Sequence, residues 1–159
     1  MTISTATGLL LWIATIGCGL MAGVYFAFSA FIMTAFARIG EAQGIAAMNA
    51  INVVILASPF MPLFWGTSLV SLALAIIGPL RWGEPGSTAI VAGGILYVAG
   101  MFVVTVAFNV PLNTALAKAG PDQAALWARY LQEWTRWNHV RTLASTVAAI
   151  LFLVGLKAQ

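Results

Sequence analysis

Of the 159 residues only 7% are charged and 62% are hydrophobic, with a net charge of +3. Soluble domains carry about 25% charged residues, so this chain lacks the polar surface to stay dispersed in water, and its apolar content equally excludes disorder. The composition calls for a bilayer, and the apolar runs cover so much of the length that a single membrane domain over residues 1–159 is expected.

The first apolar stretch, Gly8 to Phe36, holds no charge. At 1.5 Å per residue it would reach roughly 43 Å, beyond a ~30 Å hydrocarbon core, so it must tilt or project. Cys18, the lone cysteine, excludes an internal disulfide or multi-cysteine metal site. Gly19 and Gly23 form a Gly-x-x-x-Gly pair, which predicts close packing inside the bundle or, alternatively, a contact with a second copy or a planar ligand. Tyr25 and Ser29 then share a face with Ala22, beside Phe28 and Phe31. That pattern suits interior packing, or a pocket for an aromatic ligand. Residues 41–53 carry Ile45, Met48, Asn49 and Asn52 on one side, which predicts a short interfacial helix.

The second stretch, about 60–80, follows the breakers Pro59 and Pro62. Arg81 to Ser87, with Pro85 and Gly86, reads as a tight turn. The third stretch, about 88–108, has small residues at Ala89, Gly93, Gly94 and Gly100. It is expected to end at Asn109-Val110-Pro111-Leu112-Asn113, because proline removes a donor and stops a helix. Asn109 shares a stripe with Thr105 and Tyr97. It either caps the helix or hydrogen-bonds something inside the bundle. Pro121 and Asp122 open an amphipathic segment of about 122–139, in which Leu126, Tyr130, Trp134 and Trp137 recur at helical spacing. It is expected to continue directly into the fourth stretch, about 140–156.

In lipid the backbone must satisfy its own hydrogen bonds, so these stretches are helices. The expected fold is an all-α integral membrane protein: a four-transmembrane-helix up-down bundle with short interfacial helices in the first and third connections. Both long connections then lie on one side. They hold five basic residues (Arg38, Lys118, Arg129, Arg136 and Arg141) against two (Arg81 and Lys157) on the other. The positive-inside rule places the long connections in the cytoplasm.

The densest group of polar and aromatic residues is Trp134 to Thr142. On a helix Trp134, Trp137, Asn138, Arg141 and Ser145 make one stripe, while His139 points about 160° away from Arg141. One reading is an interfacial belt of Trp and Arg at headgroup depth. The other is a site, because ionisable residues at the end of a membrane helix are costly unless they pair or work. Such a site is expected between the first, third and fourth spans, near Tyr25, Ser29, Asn109, Trp134, Asn138, His139 and Arg141, open toward the long connections. The chain has no cysteine or histidine cluster for zinc or copper, no phosphate-cradling glycine loop and no Ser-His-Asp set. Its basic residues are too few for nucleic acid.

Four motifs together resemble the anthrone oxygenase-like family: Gly23-Val24-Tyr25-Phe26-Ala27-Phe28-Ser29, Gly44-Ile45-Ala46-Ala47-Met48-Asn49-Ala50-Ile51-Asn52, Asn109-Val110-Pro111-Leu112-Asn113, and Trp137-Asn138-His139-Val140-Arg141-Thr142. These are small four-helix membrane proteins, grouped largely as a domain of unknown function. Some members are linked to oxidation of anthrones to anthraquinones, and most bacterial members have no assigned substrate. The resemblance covers nearly the whole chain and implies an oxygenase, with a bacterial inner membrane as the expected location.

An anthrone is planar, apolar and phenolic, and suits an aromatic-lined cleft in a bilayer. Its ring methylene is acidic, and the resulting carbanion can reduce O₂ directly. His139 is the one side chain with a fitting unperturbed pKa to act as the base. Arg141 or Asn109 would then stabilise the developing oxyanion, a role open to Asn138 as well. Tyr25, Ser29, Asn113, Trp134, Trp137 and Asn138 are expected to bind substrate. On this reading O₂ is the co-substrate and no cofactor is strictly required. An alternative makes His139 the axial ligand of a haem, with arginines near its propionates. A third reading is a non-catalytic membrane protein that binds a lipophilic ligand or supports a partner complex. The expected partners are the bilayer and a lipophilic small molecule, with a homo-oligomer through the small-residue faces also open.

Overall fold

The structure is a computed structural model describing residues 3–119 and 123–158. Among the described residues, four helical runs are long and apolar enough to cross a membrane: Thr5–Arg38, Phe60–Arg81, Ser87–Ala117 and Gln123–Lys157. The first run comprises α1 (Ile3–Ala27), a π-helical segment Phe28–Ile32 and α2 (Met33–Arg38). Gly40, at φ 96°, turns the chain into α3 (Glu41–Val54), a backbone angle that residues with a side chain rarely adopt. A 3-10 turn, Ile55–Ala57, leads to α4 (Phe60–Ile77). The tight turn after it is held by Arg81 Nε donating to Glu84 at 2.7 Å.

The third run corrects the expectation for Pro111. It does not stop there. After α5 (Ser87–Tyr97) come two π-helical segments, Val98–Val103 and Thr105–Asn109, and then α6 (Val110–Ala117). Pro111 sits in the first turn of α6. The widened turns before it make room for the ring and shift the hydrogen-bond ladder, so the missing N–H is tolerated as at a helix start. The last helix, α7 (Gln123–Lys157), runs unbroken from the amphipathic segment into the fourth span, as its periodicity predicts. Its expected opening at Pro121 and Asp122 lies outside the described residues.

Two cores hold the bundle. The larger unites Leu11, Cys18, Met21 and Tyr25 of α1, Leu74 of α4, Tyr97 and Met101 of the third run, and Phe152 of α7. The smaller joins Met33, Ile45, Met48, Leu116, Trp127, Tyr130 and Trp134. That second core docks α3 onto the bundle instead of leaving it on the lipid surface. Gly44 makes the approach possible, since a Cβ there would lie 2.6 Å from the Trp127 ring and 2.7 Å from Phe36 O. The small residues divide by role. Gly93, Gly94 and Gly100 face neighbouring helices closely, whereas a Cβ at Gly19 or Gly23 would meet nothing within 4 Å. The Gly-x-x-x-Gly pair is therefore not the packing surface of this bundle.

An up-down bundle puts α3 and the start of α7 on one side. In a Cys18→Ala background, Ala42→Cys and Ala125→Cys, both at exposed positions, are expected to react with a membrane-impermeant thiol reagent from one face, and Glu84→Cys from the other. Labelling of the first two from opposite faces would overturn the topology.

Candidate functional site

Between the two cores lies a cleft of about 490 Å³, within the range typical of small-molecule sites. Its walls are apolar and aromatic: Tyr25 and Phe28 from the first run, Met48 and Ile51 from α3, Phe60, Phe64 and Trp65 from α4, Val106 and Val110 from the third run, and Trp134 from α7. The polar lining is sparse, consisting of Asn49, Asn52, Thr105, Asn113, Thr114 and Arg141 alongside the Tyr25 and Trp134 rings.

Arg141 is 5% exposed. Its guanidinium lies 4.3 Å from the Tyr25 ring centre and 4.9 Å from that of Trp134, so two aromatic faces flank the cation. Nη2 donates to Asn138 Oδ1 at 2.7 Å and Nη1 reaches Thr105 Oγ1 at 3.4 Å, while Nε has no partner. Among the described residues no carboxylate pairs with it. The ion pairs among the described residues are Arg81–Glu84 and Arg129–Glu133, both elsewhere. A buried charge without a counter-charge is costly unless something else supplies one.

The support behind Arg141 is rigid. Asn138, fully buried, donates to Tyr25 O and to Ser29 Oγ, each at 2.7 Å. It thereby ties α7 to the first run where that helix widens at Phe28, and holds its own Oδ1 toward Arg141. Ser29 also shares a hydrogen bond with Thr142 at 3.3 Å. Asn109 donates to Trp134 O at 3.2 Å, and Tyr130 donates to Asn113 Oδ1 at 2.7 Å. The rings of Trp127, Tyr130 and Trp134 stack in succession at 5.7 and 6.0 Å. They form a wall along one side of α7, because residues three and four apart share a helix face.

The structure thus brings Tyr25, Asn113, Trp134 and Arg141 to the cleft. Ser29, Asn109 and Asn138 form the hydrogen-bonded layer behind it. Trp137 is outside, stacked on Phe108 at 3.8 Å. His139 is exposed and does not line the cleft. The reason is the helical period: two residues along, the chain has turned to the opposite face. A haem on His139 would therefore lie outside the bundle and not in this cleft. Among the described residues no His, Cys, Asp or Glu lines the cleft, and no group of three such residues could hold a metal ion.

The structure adds walls from α3 and α4. A cleft was expected between the first, third and fourth spans, but Asn49, Asn52, Phe60, Phe64 and Trp65 also line it. The signal for Asn49 and Asn52 was present in the polar face of 41–53. What was missing was that this face docks inward. Phe60 and Phe64 had no signal beyond helical spacing in a stretch where every residue is apolar.

None of the curated proteins and none of the solved structures matches the chain. A family model described as anthrone oxygenase matches residues 51–151. The matched stretch is more than half of the chain, and it contains Asn52, Thr105, Asn109, Asn113, Trp134, Asn138 and Arg141. On that match the chain belongs to the anthrone oxygenase family.

Proposed function

We propose that the protein is a membrane-embedded oxygenase that uses O₂ to oxidise a lipophilic polycyclic phenol of the anthrone type. The observation that carries this reading is Arg141, a buried cation in the lining of an aromatic cleft with no counter-charge among the described residues. An apolar ring system with one anionic oxygen supplies what that arrangement lacks. The rings fill the aromatic walls, and the enolate oxygen receives the free Arg141 Nε–H, with the unpaired Trp134 Nε1–H nearby on the same helix. Deprotonation of the ring methylene places negative charge on that oxygen. A fixed cation in a low-dielectric cleft favours the anion and the transition state leading to it.

Among the described residues none that lines the cleft is a base of near-neutral pKa, so in this reading the proton leaves to water and the anion is the form retained. Electron transfer from the anionic carbon to O₂ and formation of the carbon–oxygen bond give a substrate peroxide anion, which takes a proton back from water to become the hydroperoxide. Loss of water leaves the carbonyl. The balance is methylene plus O₂ to carbonyl plus H₂O. O₂ is then the co-substrate, and the carbanion itself is the reductant.

The test is turnover of anthrone by the purified protein in lipid nanodiscs under ¹⁸O₂. The expected product is anthraquinone carrying one labelled oxygen, at a rate above that of empty nanodiscs. No protein-dependent rate would favour the non-catalytic reading. His139→Gln separates two mechanisms within the proposal. If the anion is selected by Arg141, kcat/KM should change by less than about threefold. A loss of 10²-fold or more, the range typical of general bases, would return His139 to the reaction.

A further inference from the structure

The polar groups of the cleft stand on α3, on the third run and on α7, and the oxygenase reading uses only those on α7. Arg141 and Trp134 stand on α7. Asn49 and Asn52 stand one turn apart on α3, on the face that also buries Ile45 and Met48. Asn49 Oδ1 is buried with no hydrogen-bond partner. Asn52 lines the cleft as well, and its buried amide nitrogen likewise has no hydrogen-bond partner. Two amides on a helix face otherwise used for apolar packing are unfavourable there unless they bind something. The rest of α3 is arranged to bring them in. Gly44 allows the helix to close on Trp127, and Gly40 provides the turn that starts it. The approach of α3 is therefore set by close contacts, and its two amides line the same cleft as Arg141 from a different helix.

We infer that Asn49 and Asn52 form a second recognition point, on a different helix from Arg141, which binds a second hydroxyl of the ring system. Asn49 Oδ1 accepts from that hydroxyl and the Asn52 amide donates to it. The pair sets specificity: the site selects planar aromatics carrying two oxygens over those carrying one. A site built to hydrogen-bond a ligand hydroxyl discriminates strongly against the analogue without it, because its own buried groups are then left unpaired.

This inference rests on the cleft being the ligand site, and the experiment separates the two. Binding to the full chain in nanodiscs is measured by quenching of tryptophan fluorescence, with two pairs of phenols of different length: 2-naphthol against 2,6-dihydroxynaphthalene, and 4-phenylphenol against 4,4′-biphenol. The wild type is expected to bind the diol of at least one pair tenfold or more tighter than its mono-ol. Asn49→Leu and Asn52→Leu, near-isosteric in an apolar setting, should remove that preference while mono-ol affinity stays within about threefold. Arg141→Gln should weaken both members of the pair. If the wild type shows no diol preference at either length, or if both asparagine variants keep it, the second recognition point is overturned. In that case mono-ol binding lost in Arg141→Gln would still uphold the cleft as the ligand site. If no phenol binds, or Arg141→Gln binds all of them like the wild type, both readings fall together.

Discussion

Arg141→Met is expected to abolish the oxidation of anthrone, with kcat/KM falling by about 10²–10³-fold or more, while the empty protein unfolds within about 2 kcal/mol of the wild type. The first half follows from the geometry. In the proposed reaction the unpartnered Nε–H and the charge of Arg141 hold the anion, and removing one such donor from an oxyanion site costs that range of rate. The second half follows from opposing effects of similar size. Met removes a buried charge that has no carboxylate partner, which is a gain. It also removes two cation–π contacts of ~0.5–2 kcal/mol each and the bond to Asn138, which are losses. Arg141→Lys should sit between, because a point charge cannot stack between Tyr25 and Trp134 or donate in a planar fork. Steady-state kinetics in nanodiscs and melting in detergent, with and without a bound phenol, give both readings. Wild-type kcat/KM in Arg141→Met would remove the basis of the proposed reaction. Collapse of the empty variant would make Arg141 a structural anchor.

Gly94→Leu is expected to have the largest effect on the fold. A Cβ at Gly94 would already lie 2.6 Å from Ser71 O and 2.8 Å from the Ala75 Cβ, so the contact is with the backbone of α4 and no side chain can swing aside. The helices would have to separate. In lipid they are held by close packing, not by exclusion from water, so lost contact is not recovered by burying leucine. Overpacking costs about 1–3 kcal/mol or more, a large part of the stability of a small domain. Gly23→Leu is the matched control, since nothing approaches within 4 Å there. Unfolding in SDS, followed by tryptophan fluorescence, should show the first variant melting far earlier and the second near the wild type. Equal effects would mean that the outward face at Gly23 is also packed.

How much of this was legible in the sequence differs between helices and site. The spans could be read from composition, because a bilayer permits helices and little else and 20 or so apolar residues suffice to mark one. The unbroken α7 was legible as well, since its aromatic period continues into the apolar stretch. Pro111 was misread because a proline's effect depends on the turn before it. Here the turn is π-helical over Thr105–Asn109, and Asn109 within it is tied to α7 through Trp134 O, a contact that local residue types do not reveal.

For the site, the helical period alone put Asn138 and Arg141 on one face and His139 on the other, and the structure keeps them so. Chemistry had drawn attention to His139, as the only histidine; geometry turns it outward. That Arg141 lies between Tyr25 and Trp134, that Asn138 clips α7 to the first run, and that α3 turns Asn49 and Asn52 into the cleft were decided only by tertiary structure. The physical reason is that periodicity fixes which residues share a face, whereas the partner of that face depends on contacts between segments as far apart as Tyr25 and Asn138. Gly44 and Trp127, distant in sequence, set how closely α3 can approach, and only their meeting closes the cleft.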